Sequence, residues 1–188
     1  KLGDDTPRLK GRLTIAPLAH IDIMGAVMIF LCGFGCAKPV NINPRNFKNP
    51  KRGMAITALA GPVSNFIMAL IGTLLISVTW VVFRSVPAAE GFILNLWRAW
   101  FTFTDVFVYM NIALGVFNLI PVPPLDGSRI FLTFLPPRYY FGIMRYERYI
   151  MLGMLVLLYT GILSGPLSMI VNGLYNGMFN LVGLIPGL

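Results

Sequence analysis

The chain has 188 residues, 56% hydrophobic and 12% charged, with a mean hydropathy of +0.74. Soluble domains average about 45–50% apolar and about 25% charged residues, so these values exclude a water-soluble globule and indicate an integral membrane protein. The net charge of +8 does not mark a nucleic-acid binder, because Lys and Arg cluster between apolar runs, as in loops beside anionic lipid.

Residues 1–12 are polar and mixed in charge, and match neither a secretory signal nor a transit peptide. The chain opens on Lys1 rather than Met, so further sequence is expected upstream. Leu13-Thr14-Ile15 reads as a short strand stopped by Pro17. His20 and Asp22 follow closely. One His and one Asp do not make a catalytic zinc site, which normally takes three protein ligands. His20 is expected to satisfy local backbone or cap a turn.

Residues 21–37 are apolar but shorter than the ~20 residues needed to cross a bilayer, and Gly25, Gly33 and Gly35 interrupt them. Basic residues flank both sides: Arg8, Lys10 and Arg12 before, then Lys38, Arg45, Lys48, Lys51 and Arg52 after. Equal flanks place both ends on one side of the membrane, as in a re-entrant or interfacial hairpin. Cys32 and Cys36 lie four apart in this stretch and read as small buried hydrophobes, not a disulfide framework. Loop 38–52 is rich in turn residues, including Asn43, Pro44, Asn49 and Pro50, with room for an extended piece at 40–42.

Residues 53–83 form a long apolar run, ample for one tilted span, and residues 92–120 form a second. The loop 84–91 between them carries Arg84 and Glu90, which cancel. The positive-inside rule makes 38–52 cytoplasmic and 84–91 external, so the second span returns toward the cytoplasm. Arg129, Arg138, Arg145 and Arg148 against one Glu147 agree. Residues 149–163 and 166–188 are apolar and broken at Gly165-Pro166, so they can form one kinked span or a hairpin. There is no internal repeat. The domain organisation expected is a single transmembrane domain over 1–188, with a strand and re-entrant region at 1–52.

Asp126 follows the second span in Asn118-Leu119-Ile120-Pro121-Val122-Pro123-Pro124-Leu125-Asp126-Gly127. An ionisable side chain at membrane depth costs about 2.5–3.5 kcal/mol on insertion scales, which makes it a functional-site candidate. The prolines end any helix, and Gly127 permits a sharp turn. Asp126 can serve as a metal ligand or proton carrier. It can also be a loop aspartate capping a helix over Ser128–Leu135. Asn118 and Asn65, amides within apolar runs, need partners. They can bond helices together or line a site for extended peptide backbone. Gly61 and Pro62, one turn before Asn65, open the helix face to close approach. Asp105 and Arg98 lie seven apart and share a face, consistent with polar packing.

Asn118-x-x-Pro121-x-x-x-Leu125-Asp126-Gly127 resembles the Asn/Pro…Leu-Asp-Gly motif of site-2 proteases, the intramembrane zinc metalloproteases. Gly61-Pro62-Val63-Ser64-Asn65 resembles their G-x-x-x-N motif, one span earlier. Leu2-Gly3-Asp4-Asp5-Thr6 through Gly11-Arg12-Leu13-Thr14, then Pro17 to Asp22, resembles the segment after the zinc helix in compact bacterial members, and Lys38-Pro39-Val40 with Asn43-Pro44 and Phe47 fits the same pattern. The resemblance covers most of residues 1–135.

It implies an all-α polytopic membrane fold with a site-2-protease-like core and a small membrane-associated β segment. Asp126 would be the third zinc ligand, and Asn118 and Asn65 would position substrate. The partners implied are the lipid bilayer and transmembrane protein substrates or a membrane complex, in a bacterial inner membrane. Strands at 13–16 and 40–42 would receive the unwound substrate by strand addition. One departure matters. The family's H-E-x-x-H, which supplies two zinc-binding His and a general-base Glu, is absent from these 188 residues. Either the zinc helix lies upstream of Lys1, or the protein is a degenerate homologue acting as a scaffold. A small transporter subunit using Asp126 to carry protons is a third class.

Overall fold

The computed structural model describes residues 3–14, 16, 19, 21–23, 27, 40, 42–85 and 91–183. His20, Cys32 and Cys36 lie outside them, as does most of the apolar stretch 21–37. The chain divides into two compact units, residues 1–54 and 55–188.

The first unit contains α1 (Thr6–Leu9), a 3-10 turn (Pro44–Asn46) and the first residues of α2 (Pro50–Ser85). Asp4 ties its two stretches of chain together. Oδ1 accepts from the Thr6 N–H (3.1 Å), the Thr6 hydroxyl (2.5 Å) and Asn46 Nδ2 (2.7 Å). Oδ2 accepts from the Asn43 N–H at 2.9 Å. These bonds, the Thr6 hydroxyl foremost, hold the Asp4 carboxyl down at about 2. Gly3 has φ +98, and a Cβ there would lie 3.1 Å from the Asn46 carbonyl oxygen. The expected β segment is not formed at the described positions. Leu13, Thr14, Ala16, Val40 and Ile42 adopt no strand, and no strand occurs among the described residues. The Thr14 hydroxyl instead accepts the Ala16 N–H at 3.2 Å, a local bond that competes with ladder pairing.

The start of α2 follows from Asn49-Pro50. The Asn49 side-chain oxygen accepts the Arg52 N–H (3.2 Å), and its carbonyl accepts the Gly53 N–H (2.8 Å). Proline then costs nothing in the first turn, where its missing N–H would be unpaired anyway.

In the second unit, α2 continues and α3 (Gly91–Asn118) returns. Both helices are long and apolar enough to cross a membrane. They pack antiparallel, and small residues set how closely. A Cβ on Gly72 would lie 2.7 Å from Val108, and one on Gly115 would lie 2.9 Å from the Phe66 ring. Between apolar helices in lipid, such close van der Waals packing takes the place of hydrophobic driving force. Toward the end near Ser85, Trp80 meets Phe101 edge-on at 5.4 Å and Phe83 meets Trp97 at 5.3 Å. Arg84 lies over the Trp80 ring, 5.2 Å from its centre. That mixture of aromatic and cationic groups suits a membrane–water interface.

Four shorter helices follow: α4 (Asp126–Leu132), α5 (Pro137–Arg145), α6 (Glu147–Tyr159) and α7 (Ser164–Gly183). The core joins α2, α3 and α7, with Ala69, Val108, Ile112, Val116 and Val171 buried together. α6 and α7 meet at 80°. The break falls at Gly161 (φ +73), not at Gly165-Pro166. Pro166 sits in the first turn of α7, where a helix tolerates it, while the left-handed backbone at 161 favours a residue without a Cβ.

Two outcomes follow. Gly72→Leu drives a branched side chain into Val108 and Phe107, and should destabilise the second unit by about 1–3 kcal/mol in thermal or denaturant unfolding in detergent. The Asp4 carboxyl is lowered in the folded state from 3.8 to about 2. Its contribution is therefore complete above the unfolded value and fades as pH falls toward about 2. Protection of the Asn43 amide from exchange should drop over that interval in the native chain and stay flat in Asp4→Asn.

Candidate active site

The site is built where α3 ends. Asn118 is its last residue. Irregular backbone follows, closed by short turns: Ile120 N–H to the Phe117 carbonyl (3.1 Å), Val122 to Ile120 (2.8 Å) and Leu125 to Val122 (3.0 Å). Prolines at 121, 123 and 124 forbid helix here, and the Pro123–Pro124 bond is cis. Leu125 is extended (φ −68, ψ 153), and α4 begins at Asp126 itself. Asp126 is thus the first residue of the helix, with Leu125 in the cap position, and its side chain makes no hydrogen bond among the described residues, in place of the expected cap for a helix over 128–135. The Ser128 hydroxyl closes the first turn instead, donating to the Leu125 carbonyl at 2.7 Å.

Gly127 is required for a different reason from a sharp turn. It sits in the helix with ordinary backbone, but a Cβ there would lie 2.3 Å from the Leu119 carbonyl oxygen and 2.6 Å from that of Ile120. Only glycine lets α4 pack on the turn that precedes it. The Leu-Asp-Gly signal marked the position; the close approach of two backbones explains it.

The half-buried carboxylate of Asp126 meets α2 at Gly61, where a Cβ would stand 3.1 Å from Oδ2. Pro62 beside it is fully buried, and it deprives the Ala58 carbonyl of its usual helical donor. The Ser64 hydroxyl donates back to the Gly61 carbonyl at 2.7 Å. Burial pushes the Asp126 carboxyl up from its ordinary value, and the Arg129 guanidinium opposes that shift. Arg129 shares the first turns of α4 with Asp126, three residues on.

Asn65 lies one turn after Gly61 and so shares the helix face that meets Asp126. Both Asn65 and Asn118 are half-buried, and neither amide is hydrogen-bonded among the described residues. Among the described residues neither forms a helix-to-helix bond. Asp105, by contrast, is engaged: the Tyr175 hydroxyl on α7 donates to its Oδ1. A metal needs more than this site displays. No three His, Cys, Asp or Glu side chains are grouped among the described residues, so Asp126 offers a single oxygen donor where catalytic zinc takes three protein ligands.

Gly127→Ala should cost about 1–3 kcal/mol of unfolding free energy, because the contact is backbone and cannot swing aside. Gly61→Leu covers the carboxylate. The reactivity of Asp126 toward a hydrophobic carbodiimide, followed by mass spectrometry, should fall clearly in Gly61→Leu and little in Val63→Leu on an exposed face.

The profile of peptidase family M50 matches residues 25–161. A Bacillus subtilis (strain 168) protein, named "Putative zinc metalloprotease YwhC", is 38% identical over 160 residues, covering 85% of this chain and 70% of that protein. No solved structure matches the chain. With its all-helical membrane fold and its Leu-Asp-Gly and Gly-Pro-Val-Ser-Asn segments brought together, the chain belongs to peptidase family M50, the site-2 protease family.

Proposed function

We propose that this chain is the transmembrane core of an intramembrane zinc metalloprotease that cleaves transmembrane segments of other proteins. The observation that carries the reading is the approach of Gly61 to the Asp126 carboxylate, because it sets the two motif segments against each other at the end of a span. Asp126 would hold zinc through its carboxylate oxygen, with the His pair and the general-base Glu contributed by sequence outside these 188 residues. Zinc, when bound, lowers the pKa of its water toward neutrality and polarises a carbonyl. The Asn65 and Asn118 amides have no hydrogen-bond partner among the described residues, so they would be available to bond the exposed backbone of an unwound substrate. The basic loops face the cytoplasm of a bacterial cell in this reading, with Asp126 returned toward that side.

A second reading has one observation in its favour. H-E-x-x-H is absent from the 188 residues, and that suits an inactive homologue serving as scaffold in a membrane complex. Zinc content separates the two. The full-length protein purified in detergent should carry zinc and cleave a membrane-segment reporter. Asp126→Asn should lose both to background while unfolding at the wild-type temperature. Full cleavage by that variant would remove Asp126 from the site, and wild-type protein without zinc or cleavage would favour the scaffold. Asn65→Ala and Asn118→Ala should keep zinc but lower kcat, by up to about 10²–10³ if the amide stabilises developing charge.

A further inference from the structure

A second polar site stands midway along α3, well away from Asp126. From Asp105 to Asn118 is about 20 Å along the helix at 1.5 Å per residue. There a concavity of about 510 Å³ opens on the side of the bundle, lined by Trp80, Phe101, Phe179, Ser77, Thr102 and Asp105. The proteolytic reading gives it no role.

Its chemistry is unusual for a face turned to lipid. Carboxylates at membrane depth are rare and almost always meet a counter-charge. Asp105 has none: the Tyr175 hydroxyl takes Oδ1, and no ion pair engages the residue among the described residues. Arg98, seven residues earlier on the same helix, makes no ion pair with it among the described residues. Arg84 is directed onto Trp80. Oδ2 accepts no hydrogen bond among the described residues, and the hollow it shares is lined by three aromatic residues with Ser77 and Thr102. The Ser77 hydroxyl is spent on backbone, donating to the Thr73 carbonyl at 2.9 Å, and Thr102 lies exposed at the rim. A carboxylate at this depth calls for positive charge.

We propose that this concavity binds a lipophilic ammonium cation, with the ammonium on Asp105 and the aliphatic chain leaving along the lipid face. Aromatic faces attract such cations, and the attraction grows where water is excluded. The walls are mostly apolar with one convergent charge, as ligand sites generally are. The volume fits a single amphiphile's head and first methylenes. A whole helix would need a long groove in place of a local hollow.

The test uses the tryptophans. The chain has three, and of these Trp80 alone lines the concavity. The full chain in nanodiscs, with Trp97→Phe and Trp100→Phe, is titrated with dodecylammonium and with dodecanol while Trp80 fluorescence is read. The amine should saturate the signal at a concentration at least about tenfold lower than the alcohol, a difference of about 1.4 kcal/mol. Asp105→Asn should bring the two within about twofold. Tyr175→Phe, which frees Oδ1, should keep the preference. Thr102→Leu fills the hollow and leaves Asp105 and Tyr175 in place, so it should abolish saturation even if Asp105→Asn fails to fold. Equal titrations for amine and alcohol in the Trp80-only protein would overturn the proposal, as would an undiminished preference in Thr102→Leu.

Discussion

The close antiparallel contact of α2 and α3 is the constraint on which the rest depends. Two transmembrane helices gain little by hiding apolar surface from lipid, so they must gain it from packing. Gly72 and Gly115 allow that packing by receiving Val108 and Phe66 where a Cβ would collide. Once this register is set, the chain just beyond the end of α3 comes back to α2 at Gly61. Gly61 then meets Asp126 as a consequence of helix geometry. The same register aligns Trp80 with Phe101 at the other end and leaves the Asp105 hollow between them.

Irregular backbone beside lipid carries its own penalty, because each unpaired N–H or C=O there costs several kcal/mol. The segment 119–125 limits it in two ways. Its prolines bring no N–H, and its remaining donors close tight turns onto Phe117, Ile120 and Val122. Gly127 lets α4 sit directly on those turns. The carboxylate of Asp126 is thereby held out from a rigid base. Its oxygens are not consumed by capping, which is a precondition for accepting a ligand.

How much was legible in the chain varied by element. The two spans were visible as apolar runs, though Asn49 and Pro50 were read as loop residues, whereas the helix already begins at Pro50 with Asn49 capping it. The candidate residues Asp126, Asn118 and Asn65 stood out because polar groups in apolar runs are costly. Where signals compete, local reading failed. Leu13-Thr14-Ile15 has strand composition, but at the described positions Thr14 bonds Ala16 and no partner strand is present. The break between α6 and α7 was expected at Gly165-Pro166, yet proline is tolerated in a first turn, and the left-handed backbone at Gly161 does the breaking. Gly127 was marked by its motif, but its reason is a contact with residues eight positions earlier that no local rule anticipates.

The sequence by itself determined that this is a helical membrane protein with a costly carboxylate after its second long apolar run, because transfer energies and proline stereochemistry act residue by residue. Only the tertiary structure decided which atoms face that carboxylate. Gly61 meets Asp126, and Tyr175 meets Asp105, across helices far apart in the chain. Those meetings depend on how closely α2, α3 and α7 can approach. That distance is a property of paired surfaces, not of any one segment.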